Sequence, residues 1–266
     1  MKFKAACVQF DVKKEELEKN LDSVVSSLQE LSKEEVKLVV LPELWAAKFE
    51  QEKAGKLWEF SQAALNEVAS LSSKYEMATV GSLIEKDGND YFNTAYVTDA
   101  SGKEIAKYRK VHLFSMAGEN TYFKSGIQKV VVDTQFGTLA VIICYDLRFP
   151  ELARALALEG AEILVVPAQW PKARLNHWRT LAIARAIENQ FFVIACNRTG
   201  CDTKEEYPGH SLLIDPWGDV LAEGGEQEGF IIAEIDLNRI KNVRATMKCF
   251  DDRRPEVYRS GLHIEE

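Results

Sequence analysis

The chain has 266 residues, 46% of them hydrophobic and 28% charged, which suits one soluble unit with a substantial core. Its formal charge of −8, from 41 acidic against 33 basic residues, gives no electrostatic ground for a nucleic-acid or anionic-membrane partner, so a small-molecule substrate is the expectation. The opening MKFKAACVQFDVKKEE returns to charge too soon for a signal peptide, and nowhere do about 18 apolar residues run together, so the protein is expected in the cytosol.

In chain order, FKAACVQF at 3–10 reads as a first strand. EELEKNLDSVVSSLQELSK at 15–33 follows as a helix, with Leu17, Leu21, Val24, Val25 and Leu28 at helical spacing. VKLVVLPE at 36–43 is the next strand and LWEFSQAALNEVASLSSKYE at 57–76 a second amphipathic helix. MATVGSLIEK and YFNTAYVTD supply two strands, and the turn DASG at 99–102 joins the latter to KEIAKYRK as a hairpin. The second half alternates strand TLAVIIC, helix PELARALALEG, strand EILVVPA, helix ARLNHWRTLAIARAIENQ and strand FFVIACN. Residues 209–237 then read as three strands separated by DPWGD and EGGEQEG. The alternation predicts an α/β layered fold, and the absence of a linker predicts one domain over 1–266. VKLVVL, LAVII and ILVV lack a period of two, so these strands should be covered on both faces. The helix at 173–190 carries Leu181, Ile183 and Ile187 as well as alanines around its middle, and is expected to meet the sheet on one side and a second subunit on the other.

In such a sheet, ligands sit outside the carboxyl ends of the strands. KLVVLPE delivers Glu43 there and LAVIIC delivers Cys144, so adjacent placement of these strands would set a carboxylate beside a thiol. An ordinary thiol is mostly protonated near neutral pH and needs a base, a cation or both to act as a nucleophile. Glu43 could be the base, its basicity raised by a largely apolar crevice, and Lys110, ending IAKYRK, could supply the cation for thiolate and oxyanion. FPEL starts a helix with Pro150 in its first turn, which would leave the Tyr145 N–H free for the same oxyanion. Together these suggest a cysteine attacking an acyl carbon. Each signal also has a plain reading: an inert core cysteine, a surface carboxylate, a solvated YRK edge, an Asp146–Arg148 ion pair.

The combination resembles a known family. LPELW at 41–45, YRKVHLF at 108–114 and CYDLRFPE at 144–151 are similar to the three signature segments of the nitrilase superfamily, the carbon–nitrogen hydrolases. PAQWP at 167–171, residues 184–200 and residues 209–224 extend the resemblance over nearly the whole chain. It implies an α-β-β-α sandwich whose subunits pair into a longer layered dimer. It also implies Cys144 as nucleophile, Glu43 as general base and Lys110 as oxyanion stabiliser, with no metal or organic cofactor. Glu119, seven residues before Gly126 in GENTYFKSG, matches a second glutamate that orients substrate and lysine in some members.

Finer resemblance, in YRKVHLFSMAGEN and HSLLIDPWGDVLAEGG among others, is to bacterial ω-amidases, which hydrolyse 2-oxoglutaramate; deaminated-glutathione amidases and nitrilases are the near alternatives. A dicarboxylate monoamide needs a cation for its distal carboxylate, and Arg148 is the candidate, with a structural ion pair as the competing account. Trp170 and Trp45, each just past a strand end, could wall the pocket or fill the core. Loops 45–55 and 114–126 read as lids, with Gly118 and Gly126 letting the second flex. A Cys-His hydrolase using His177 or His210 is the rival enzyme class, but IICYDLR has no glycine for a nucleophile elbow. The rival outside enzymes is a binding scaffold that has retired its chemistry. The five cysteines lack regular spacing, and a zinc corner from Cys196, Cys201 and His210 fits no usual ligand pattern.

Overall fold

The computed structural model describes residues 1–14, 16–48, 53–202 and 205–258. Two six-stranded sheets stack face to face. The first holds β1 (Lys2–Gln9), β2 (Val36–Val40), β3 (Ala78–Asp87), β4 (Asp90–Thr98) and β5 (Glu104–Arg109), with β14 (Gly229–Asp236), the last strand among the described residues, beside β1. The second runs β13 (Val220–Glu223), β12 (Leu212–Ile214), β9 (Phe192–Asn197), β8 (Ile163–Ala168), β7 (Gly137–Val141), β6 (Val131–Thr134). Helices α1 (Leu17–Lys33) and α2 (Ala54–Tyr75) cover the first sheet, and α3 (Pro150–Leu158) and α4 (Leu175–Asn189) cover the second, giving four layers, α-β-β-α. The ribbon β10 (Thr199–Cys201) and β11 (Glu206–Pro208) stands apart, and α5 (Asn238–Thr246) follows β14.

The layers follow from the apolar runs. Ala5, Cys7, Leu38 and Val40 face the second sheet, while Ala6, Val8, Val39 and Leu41 face Val24, Leu28, Leu31 and Val68 of the helices. Both faces of β1 and β2 are therefore dry, which is why those runs show no alternation. The turn after β4 forms as its residues dictate: Asp99 Oδ1 accepts from the N–H groups of Ser101 and Lys103, and Gly102 takes φ +82°.

One expectation is corrected here. β2 and β7 are not neighbours in a sheet; they lie in different sheets, and the packing of β2 and β3 on β8 brings their carboxyl ends together across the sandwich. The expected lid at 45–55 falls partly on residues 49–52, outside the described residues.

Candidate active site

Four strands deliver residues to one cavity of about 910 Å³, lined by Glu43, Lys110, Glu119, Cys144, Tyr145, Arg148, Gln169 and Trp170 among others. Glu43 follows β2, Lys110 follows β5, Cys144 follows β7 and Gln169 follows β8. Loop 41–45 is tied to β3, since Leu44 N donates to Ser82 Oγ at 2.7 Å and Trp45 N to Ser82 O at 3.2 Å. Lys110 is pinned by its backbone: its N–H donates to Asn93 O and its carbonyl accepts from Gly126 N.

The charged centre is compact. Lys110 Nζ donates to Glu43 Oε1 at 2.7 Å and to Glu119 Oε2 at 2.8 Å, and all three side chains are largely shut off from solvent. Asn93 Nδ2 bridges the two carboxylates, at 2.8 Å from Glu43 Oε1 and 3.0 Å from Glu119 Oε1. Gln169 N donates to Glu43 Oε2 at 2.9 Å, so Glu43 is held by three donors rather than set in the apolar crevice expected of it. Burial alone would push the Lys110 ammonium down, but Glu43 and Glu119 outweigh it and hold the group above the ordinary lysine value, fully charged. The Cys144 thiol goes the other way. Burial, and then the negative charge of Glu43, push it well above the usual thiol range, against the pull of Lys110 and the Gln169 N–H. The resting sulfur is therefore a thiol.

Cys144 opens a helical turn, Cys144–Arg148, and stands at φ +46° between Ile143 at φ −120° and the rest of the turn. This is a sharp elbow built without glycine. A left-handed non-glycine residue costs on the order of 1–3 kcal/mol and persists only where its surroundings over-determine it. Asp146 supplies that: wholly buried, it accepts from Ile143 N at 2.9 Å, Tyr108 Oη at 2.7 Å, and His112 N and Nδ1 at 2.9 and 2.8 Å. One carboxylate thus ties the elbow of the second sheet to residues 108 and 112, flanking Lys110. As second residue of the turn, Tyr145 has an N–H with no partner inside it.

Several expectations need correcting. Asp146 does not pair with Arg148. Instead the Arg148 guanidinium lies 4.6 Å over the Trp170 ring, with His177 Nδ1 at 3.3 Å, and makes no ion pair among the described residues. Trp45 does not wall the pocket: it is 1% exposed and packs in the core against Gly81, where an added Cβ would come 2.9 Å from its ring. Trp170 does line the cavity. Gly126 is no hinge, because a Cβ there would stand 2.1 Å from Arg109 O; the residue is small so that two backbones can touch. Loop 114–126 is further fixed by Phe114 N donating to Glu119 Oε2 at 2.7 Å and Lys124 N to Tyr91 O at 2.9 Å.

The histidines are engaged elsewhere, His177 by Arg148 and His210 by Glu223. Cys196 Sγ donates to Val8 O, and Cys201 sits at the cavity rim, so the imagined zinc corner is dispersed. Among the described residues no group of three or more His, Cys, Asp or Glu side chains is placed to hold a metal ion.

Asn93, Gln169, Tyr108, His112 and Arg174 belong to the site without having been singled out in the sequence, where Asp146 stood only as an ion-pair partner for Arg148. Asn93 had a signal: in YFNTAYVTD it shares a face with Ala95 and Val97, a polar residue at an inward position.

The carbon–nitrogen hydrolase family model matches residues 4–245, and the chain belongs to that family. A 2-oxoglutaramate amidase of Bacillus subtilis is 40% identical over 260 residues, covering 97% of this chain and 100% of that protein. A deaminated glutathione amidase of Synechocystis is 44% identical over 173 residues, 61% of this chain and 64% of that protein. The crystal structure of a carbon–nitrogen hydrolase from Helicobacter pylori superposes with a TM-score of 0.93 at 28% identity, covering 98% of each chain.

Proposed function

We propose that the protein hydrolyses the terminal amide of 2-oxoglutaramate to 2-oxoglutarate and ammonia, as a single catalytic domain and a homodimer in the cytosol. The observation that carries the reading is a buried ammonium shared by two glutamates beside a buried thiol, facing an arginine that has no carboxylate partner among the described residues. Identity of 40% to a 2-oxoglutaramate amidase over nearly the whole chain supports the substrate, and five free cysteines suit a reducing compartment.

In this mechanism Glu43 takes the Cys144 proton as the sulfur attacks the amide carbon. Lys110 Nζ and the Tyr145 N–H receive the oxyanion, in a site where neither has to reorganise. Glu43 returns the proton to the leaving nitrogen, ammonia departs, and an acyl thioester remains. Glu43 then draws a proton from water, whose oxygen attacks the thioester carbon, and the acid and thiol are released. Glu119 holds Lys110 in place. Arg148, backed by Trp170, grips the distal carboxylate bidentately.

The size of the cavity favours a second reading, in which the amide nitrogen carries a longer substituent, as in deaminated glutathione. Steady-state kinetics on 2-oxoglutaramate, succinamate, deaminated glutathione and a simple nitrile decide between them. The highest kcat/KM should fall on 2-oxoglutaramate. Cys144→Ala and Glu43→Gln should each lower kcat at least ~10³-fold while the fold, followed by circular dichroism, is kept. Turnover retained in either variant would end the proposed chemistry.

A further inference from the structure

We infer that Arg174 is a second substrate-reading cation, which together with Arg148 makes the pocket selective for a 2-oxo acid over a plain carboxylic acid; the inference rests on the proposed amide-hydrolase reading. Arg174 closes the short turn Lys172–Arg174 at the entry to α4 and lines the same cavity as Arg148. Both arginines are tied to one indole. Arg148 lies over the Trp170 ring, and Trp170 Nε1 donates to the backbone carbonyl of Arg174 at 2.8 Å, so the same indole backs the Arg148 guanidinium and anchors the main chain from which Arg174 reaches the cavity.

The two cations also share a deficit. Most other basic groups around the cavity are paired: Lys110 with Glu43 and Glu119, Lys13 with Asp11, Lys48 with Asp202. Arg174 makes no ion pair among the described residues. Its Nη1 is buried without an acceptor, and its charge rests on the Phe114 ring, 5.6 Å away. A shielded N–H with nothing to bond is unfavourable, and an oxygen supplied by substrate would relieve it. Phe114 in turn donates its backbone N–H to Glu119 Oε2, which ties the Arg174 end of the cavity to the charged centre.

A single guanidinium satisfies a single carboxylate in the forked arrangement. A second one, lining the same cavity, has use for a further oxygen. A 2-oxo acid offers that oxygen on the carbon next to its carboxylate, in the same plane. Arg148 then takes the carboxylate and Arg174 the ketone oxygen. A site that donates to a substrate oxygen rejects the analogue lacking it more strongly than an apolar pocket rejects a missing methylene.

The test compares 2-oxoglutaramate with glutaramate, which has a methylene in place of the keto carbon, and with neutral pentanamide. Wild-type enzyme should prefer 2-oxoglutaramate over glutaramate at least ~10-fold in kcat/KM. R174Q should lower kcat/KM for 2-oxoglutaramate ~10–100-fold, chiefly through KM, erase that preference, and leave pentanamide turnover within about twofold. R174M, which keeps the stem against Phe114, should behave alike. A preference kept in both variants, or an equal loss on all three substrates in both, overturns the inference while the parent reading stands. Wild-type enzyme that treats pentanamide as well as the two anionic amides overturns the parent reading and this one with it.

Discussion

At Cys144 the backbone turns through φ +46° and the side chain is a thiol held in its neutral form. Neither fact shows in IICYDLR, where the lack of glycine argued against an elbow; the strain is met by Asp146, whose four hydrogen bonds come from residues up to 38 positions away. Strand ends did single out Glu43, Lys110 and Cys144; Glu43 and Cys144 close apolar runs, where a buried polar residue is conspicuous, and Lys110 follows the strand EIAKYR. The same cue failed for Trp45 and held for Trp170. Which way a tryptophan turns past a strand end depends on its neighbours, here the bare face of Gly81. The thiol carries a prediction. Because its titration lies above the ordinary range, alkylation of Cys144 in the absence of substrate should stay slow near pH 7 and climb only at a higher pH than that of a free thiol such as glutathione measured alongside. Glu43→Gln removes one of the causes and should move that climb to lower pH. Rates from mass spectrometry across pH 6–10 check both, and a plateau reached near pH 7 in the unaltered enzyme contradicts them.

Among the elements, the hairpin β4–β5 and its neighbour β3 carry Lys110 and Asn93, and their outer end is held by one carboxylate. Glu85 accepts from Thr94 Oγ1, Lys107 Nζ and, through Nε and Nη2, Arg109. Burial pushes Glu85 up, but hydrogen bonds from Arg109, Lys107 and Thr94 outweigh it and bring it from 4.5 to about 2. A depressed carboxylate contributes stability that is complete above its unfolded value and is lost as pH falls through the folded one. The window is therefore pH 4.5 down to about 2, and 4.5 less about 2 corresponds to about 3 kcal/mol. Glu85→Gln should lower stability at pH 7 by up to ~3 kcal/mol and flatten the acid limb, as urea titrations at pH 7, 4 and 3 would record. The main strands and helices were legible from their runs and spacing. β6 and the β10–β11 ribbon were not, being three or four residues long, nor was α5, which buries only Ile240 and Val243 and so shows little periodicity. The division of strands between two sheets was equally hidden, since β2 and β7 read alike.

For the whole molecule, α4 buries Trp178, Ala182 and Ala186 and leaves Ile187 52% exposed beside the turn that carries Trp217, itself 49% exposed. Gly218 lies against Ile187, where a Cβ would meet it at 2.5 Å. These apolar groups on one face are what the proposed pairing of two copies would cover. Ile187→Glu should then convert a species of twice the chain's mass into the single chain at micromolar concentration, measured by analytical ultracentrifugation. Unaltered protein that already sediments as a single chain would remove the dimer from the proposal.

β14 pairs with β1 along eight residues, from Lys2 with Asp236 to Gln9 with Gly229. β1 is thus made long before β14 and completes its hydrogen bonding only when that strand has emerged. Until then β1 presents an open flank to the surrounding solution, with more than two hundred residues of chain strung between the two halves of the seam. A nascent polypeptide stalled short of β14 would carry Glu43, Lys110 and Cys144, yet the layer that supports two of them would lack its border.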